Sequence, residues 1–113
     1  MINIVNKKNH IETPYDYYIG RPSPIGNPFT HKPNTRYGEH IVESRDSAID
    51  NYEDWLKYKI SENDPIIIED LRKISYQYKK DGQINLVCFC HPKRCHGEII
   101  KKLLEGKLFD NDF

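Results

Sequence analysis

The chain has 113 residues with 17 Lys+Arg, 17 Asp+Glu and 5 His, a formal net charge of zero at pH 7, 37% hydrophobic and 12% aromatic residues. That suffices for the core of one small domain and excludes two independently folded halves. No apolar run reaches the roughly 18 residues needed to span a bilayer, and the charge balance argues against a protein that coats nucleic acid non-specifically by neutralising phosphates. The start, Met1 to Ile4, lacks the basic and apolar regions of a signal peptide. Cys88, Cys90 and Cys95, an odd count in one cluster, make a poor disulfide framework, so the expected setting is a reducing cytoplasm.

In chain order, Met1 to Asn6 reads as a short strand, and the aromatic, β-branched run Tyr15 to Ile19, closed by Gly20, as a second. From Gly20 to His40 there is no period of either kind, and Gly20, Gly26, Gly38, Pro22, Pro24, Pro28 and Pro33 mark a long loop, of a length that usually carries function. Ser44 opens an amphipathic helix on which Ala48, Ile49, Tyr52, Leu56 and Ile60 share one face. A second helix has Asp64 as N-cap, Pro65 at its first position, Lys79 and Lys80 late and Gly82 beyond its end, with Ile67, Leu71, Ile74 and Tyr78 as its buried stripe. Ile84 to Cys90 is a nearly continuous apolar run, the habit of a central parallel strand. After the break at 91–95, Ile99, Ile100, Leu103 and Leu104 give a terminal helix ended by Gly106. The order predicts a single α/β domain over 1–113, a small three-layer Rossmann-like fold with a short, mostly parallel sheet.

Two segments carry the candidate chemistry. In 18–29, Gly20 and Gly26 let the backbone approach a ligand closely, and Arg21, Ser23 and Asn27 supply polar groups. The plain alternative is a tight turn with Arg21 solvated. In 88–98, a strand passes through a turn into a helix start, where unpaired N–H groups beside Lys93 and Arg94 suit an anion. If the strands are parallel, both segments leave the same sheet edge, where α/β domains place their ligands.

Cys95, or Cys90, near a helix N-terminus beside His96 is a candidate nucleophile, with His96 as acid or base. Cys88 and Arg94 also stand at the spacing of a phosphatase loop, without the glycines that wrap a phosphate. Cys88, Cys90, Cys95 and His96 form a candidate metal set whose spacing departs from the paired two-residue gaps of common zinc knuckles; buried free cysteines are the bland alternative. No cofactor is expected. Arg45 either turns to the site or pairs with Asp46 or Glu43, Tyr52 and Trp55 are core or stack on a base, and His10, His31 and His40 read as surface residues.

Together, Tyr-Ile-Gly-Arg-Pro-Ser-Pro-Ile-Gly-Asn-Pro-Phe at 18–29, Cys-Phe-Cys-His-Pro-Lys-Arg-Cys-His-Gly at 88–97, Arg45 and the Tyr52, Trp55, Leu56 helix resemble the domain-of-unknown-function family four-three-two-six, found in bacteria, archaea and phages. Ile25 stands where that family commonly has Leu. The resemblance implies that Gly20, Arg21, Gly26, Asn27, Arg45, Cys90, Pro92, Cys95, His96 and Gly97 are signature positions; it implies no activity. At the level of fold alone, the chain also resembles nucleotide-binding domains related to lysine-decarboxylase-like and nucleoside-deoxyribosyltransferase folds. The expectation is a protein that binds a small phosphorylated nucleotide or nucleotide-derived signal, NAD-derived or cyclic, and in a phage setting sequesters it. The rivals are an enzyme acting at a nucleoside glycosidic bond and a zinc-stabilised interaction module. Completion of the pocket across a homo-oligomer interface is a further expectation.

Overall fold

A computed structural model describes residues 1–21, 23–30, 40–89 and 94–106. Its elements are β1 (Ile2–Asn6), β2 (Asp16–Tyr18), β3 (Phe29–Thr30), β4 (His40–Ile41), α1 (Arg45–Ser61), α2 (Pro65–Asp81), β5 (Ile84–Cys88) and α3 (Gly97–Leu104). The main sheet has the order β1-β5-β2 and is parallel throughout, with Ile4 and Tyr17 both opposite Leu86. The expected α/β class and short parallel sheet are therefore present, with β5 in the centre. Among the described residues, no helix is long and apolar enough to cross a membrane.

The helices start and stop where their end chemistry dictates. Ser44 accepts a hydrogen bond from the Ser47 N–H to cap α1. Asp64 accepts from Ile66 and Ile67 at the head of α2, Pro65 fills the first position where no donor is needed, and Gly82 closes the helix at φ 70°. Leaving β2, the chain keeps its pairing one residue further at each end, since Asn85 N–H donates to Tyr15 and Ile19 N–H to Val87. The stretch from 20 to 40, expected to be a long loop, carries β3 and ends on the first residue of its parallel partner β4. Two residues per strand are too few to leave a periodic trace in a sequence.

The two faces of the sheet have opposite character because side chains alternate along each strand. Ile2, Ile4, Ile84, Leu86, Cys88 and Tyr17 share one face, and they cluster with Ile49, Tyr52 and Leu56 of α1, Ile67, Leu71 and Ile74 of α2, and Ile99, Ile100 and Leu103 of α3. Tyr78, expected in the α2 stripe, is partly buried against this core. Asp70 on α2 is a polar group within this packing; it is buried and accepts a hydrogen bond from the Tyr17 hydroxyl through one carboxylate oxygen. Its other oxygen has no hydrogen-bond partner among the described residues. Burial and this carboxylate push the Tyr17 phenol above its ordinary pKa. The apolar period of α2 marks Leu71 and not its neighbour Asp70.

The opposite face carries Asn3, Asn85 and Asp16 near one edge, where His10 and Thr13 of the connection 7–15 bond to it. Asp16 is the anchor. Its carboxylate accepts from the Asn85 side chain at 3.0 Å, the Thr13 N–H at 3.0 Å and the Thr13 hydroxyl at 2.8 Å, and its Oδ1 lies 2.9 Å from His10 Nε2. His10, read as a surface residue, is thus part of a tie that fastens the connection to the sheet. Burial opposes the charge on Asp16, but the bonds from Asn85, Thr13 and His10 outweigh it and hold the group down at about 2. Because the folded value lies below the ordinary 3.8, the stabilisation is present above about pH 4 and is lost as pH falls toward about 2. Thermal melts of the protein and of Asp16→Asn between pH 5 and 2 should therefore converge in acid. A variant that stays destabilised by the same margin throughout would show that the carboxylate charge is not what holds the connection.

Candidate functional site

All three parallel strands end on one edge, and the segments leaving β2 and β5 meet there at the first turns of α1. The loop after β2 is held by its own side chains together with groups from α1 and the start of α3. Arg21 donates through Nε to the Asn27 carbonyl at 2.6 Å and through Nη2 to that of Phe29 at 2.9 Å. Buried Asn27 donates to the Ala48 carbonyl of α1 at 3.2 Å and accepts from the Phe29 N–H at 2.9 Å. Ser23 and Gly26 make successive turns, Ser23 N–H to the Gly20 carbonyl and Gly26 N–H to that of Ser23. A Cβ on Gly26 would lie 3.0 Å from the Ser23 carbonyl oxygen and 3.2 Å from the Arg21 backbone, so a larger residue would require the turn to give by a few tenths of an ångström. The Ser23 hydroxyl is buried with no hydrogen-bond partner among the described residues.

Tyr52 is the beam beneath this loop. Fully buried on α1, it donates its hydroxyl to the Ile25 carbonyl at 2.7 Å, and its ring meets the His96 ring edge-on at 5.0 Å. Trp55 leans on it from the half-buried side at 5.6 Å. Both aromatics are therefore occupied in packing, Tyr52 completely.

His96 joins the two loops. Its Nε2 lies 2.7 Å from the Ile19 carbonyl oxygen, which can only accept, so Nε2 carries the proton and Nδ1 is bare. The Cys95 sulfur lies 3.6 Å from Nδ1, placing its thiol as the donor, and itself accepts the Gly97 N–H at 3.4 Å. Burial lowers the His96 pKa to about 4, helped by the positive charge of Arg21 and opposed by the bond to Ile19. The imidazole is neutral at physiological pH. Gly97 permits this close assembly, because a Cβ there would come within 3.0 Å of Ile19 and 3.4 Å of Ile4.

The expected anion site at the start of α3 is partly filled by the chain itself. Glu98 accepts the Cys95 N–H at 3.0 Å, and the Cys95 sulfur takes that of Gly97. Arg94 reaches across to α1, with Asp46 at 3.1 Å and Asp50 at 3.0 Å. Arg45, one residue before that Asp46 contact, is half-buried and has no hydrogen-bond or ion-pair partner among the described residues. Cys90, Pro92 and Lys93 lie outside the described residues. Cys88 and Cys95 are buried thiols. Among the described residues, no three His, Cys, Asp or Glu side chains converge as metal ligands.

Thus Gly20, Arg21, Ser23, Gly26 and Asn27 after β2 and Arg94, Cys95, His96 and Gly97 after β5 are gathered around one edge, with Arg45 in the adjoining first turn of α1. Their roles differ, since Arg21, Asn27 and His96 are engaged with the protein's own carbonyls. Tyr52 is the organising residue that helical periodicity marks only as core. Heteronuclear NMR should find His96 as a single Nε2–H tautomer that titrates near pH 4. Since an unfolded histidine titrates near 6.5, stability should decline as pH falls from about 6.5 to about 4. Native Cys95 should react with iodoacetamide more slowly than a free cysteine does. Normal titration of His96 with rapid alkylation of Cys95 would mean that this cluster is open.

No curated protein and no solved structure matches the chain significantly. A family model described as "Domain of unknown function (DUF4326)" matches residues 2–106. That span takes in β1 through α3 and both loops of the site, and the chain belongs to this family.

Proposed function

We propose that the protein binds a small phosphorylated nucleotide or nucleotide-derived signal at the C-terminal edge of its parallel sheet. The observation that carries this reading is Arg45. Arg21 and Arg94 are engaged with partners inside the protein, whereas Arg45 is held half-buried by the first turn of α1 where the two loops meet, with no partner among the described residues. A guanidinium in such a place is suited to a phosphate or carboxylate supplied from outside. The sheet edge is where ligands of parallel α/β domains sit.

Binding is favoured over cleavage of a glycosidic bond because Cys95 and His96 are buried, and His96 is neutral and committed to Ile19. A nucleophile and an acid for catalysis need access to a substrate. In a phage setting, such a protein would act by sequestering its ligand.

Thermal-shift and calorimetric titration against AMP, ADP, NAD, ADP-ribose and cyclic dinucleotides should give at least one stabilising ligand. Arg45→Ala should weaken it by roughly 10-fold to 100-fold, in line with loss of a charge-assisted hydrogen bond. Mass spectrometry after denaturation should recover the ligand unchanged. Absence of a shift with the entire panel would remove the proposal, and appearance of a free base would convert it into the enzymatic one.

A further inference from the structure

We infer that Phe89, with Tyr18 and Lys7, forms a stacking platform for the base of the ligand. This deepens the nucleotide reading and relies on it for the phosphate end. The argument begins with the alternation of side chains along the strands. On the face away from the helices, β1 presents Asn3 and Val5 and is followed in phase by Lys7. In register beside it, β5 presents Asn85 and Val87 and is followed by Phe89, and β2 presents Asp16 and Tyr18. That face therefore changes along the strands from polar, through valine, to aromatic and cationic at the edge where all three strands end.

The platform stands on fixed backbone. Lys7 N–H donates to the Cys88 carbonyl at 2.8 Å, and the Asn6 side chain donates to that of Phe89 at 3.2 Å. The first extends the β1–β5 ladder past its last paired residues, and the second ties the Phe89 backbone to the end of β1. Tyr18 is tethered through its hydroxyl to the Arg21 carbonyl at 2.8 Å, which joins the platform to the loop of the site. Its ring meets that of Phe89 edge-on, centroids 6.1 Å apart at 80°. The Lys7 ammonium lies 4.8 Å from the Tyr18 centroid and 5.9 Å from that of Phe89.

Phe89 is 50% exposed, although it directly follows a strand whose last two residues, Val87 and Cys88, are buried. The core does not need it, yet its backbone and its neighbour ring are held in place. An accessible aromatic ring beside a cation matches a planar π system that carries negative charge. A base stacked on Phe89, with its phosphate toward Lys7 or Arg45, meets that description, and stacking tolerates any base because every base has a π face.

The test uses AMP and ribose 5-phosphate as probes, titrated by calorimetry and NMR into the full chain and into Phe89→Ala and Phe89→Tyr. The expected result is that AMP shifts the Phe89, Tyr18 and Lys7 side-chain signals. Phe89→Ala should weaken AMP about 10-fold while leaving ribose 5-phosphate unchanged, and Phe89→Tyr should restore AMP binding. Circular dichroism checks that the variants are folded. Equal AMP affinity in the wild type and Phe89→Ala overturns the platform and leaves the nucleotide reading standing if binding still depends on Arg45. Perturbation of Phe89 by AMP without any dependence on Arg45 overturns the phosphate pocket and keeps the platform. No shift of the three side chains at millimolar AMP overturns the platform outright. An eight-nucleotide DNA strand that binds more than 10-fold tighter than AMP overturns it in favour of a strand-binding surface.

Discussion

The fold depends on one strand being paired in parallel along both of its edges. With β5 between β1 and β2, and all three pointing the same way, every strand must deliver its following segment to the same side of the molecule. This makes the loop after β2, the turn after β5 and the basic turn after β1 neighbours, although more than 60 residues separate the first from the second. The helices follow from the same arrangement. The apolar stripes of α1, α2 and α3 have one continuous apolar face to cover, and on the other Asp16 and Asn85 fasten the connection 7–15 through His10 and Thr13.

Where the edge segments converge, the protein meets its own hydrogen-bonding demand from within. The carbonyls of Ile19, Ile25, Asn27 and Phe29 are taken by His96, Tyr52 and Arg21. A loop without long strands or helices would otherwise leave these groups unsatisfied near a core, at a cost of order 1–3 kcal/mol each. The result is a loop whose shape is set by the protein's own bonds. The zero net charge has a matching internal structure. Residues 1–38 carry +3, residues 39–70 carry −7, residues 71–109 carry +6 and the last four carry −2. Part of this sorting is cancelled across elements, as acidic α1 holds Arg94 through Asp46 and Asp50 and Lys102 through Glu53.

Much of the fold was readable from local signals. Asp64, Pro65 and Gly82 bracket α2 because helix ends have specific donor and acceptor needs, and the run from Ile84 announces a central strand because it lacks polar alternation. The convergence of the two candidate segments was readable, since glycine and cysteine-histidine segments after strands meet once the sheet is parallel. What escaped was the work that each side chain does. Whether Arg21 grips a ligand or its own loop depends on where the carbonyls of Asn27 and Phe29 turn. Whether His96 titrates depends on burial under Tyr52. Asp70 and the Asp16 cluster were invisible because their partners, Tyr17 and Asn85, become neighbours only through tertiary structure.

The position of β5 also governs the order in which the molecule can be built. Its partners are made first, but Ile2 pairs with Ile84 and Tyr17 with Leu86, so no rung of the main sheet can close until residues in the mid-eighties have been synthesised. Until then β1 and β2 are unpaired strands on a growing chain, and α1 and α2 have only each other to cover their apolar stripes. Such non-local closure is slow and leaves strand edges exposed. Asn3, Asn6 and Asp16, placed along those waiting strands, put polar groups where premature pairing with another chain would otherwise begin.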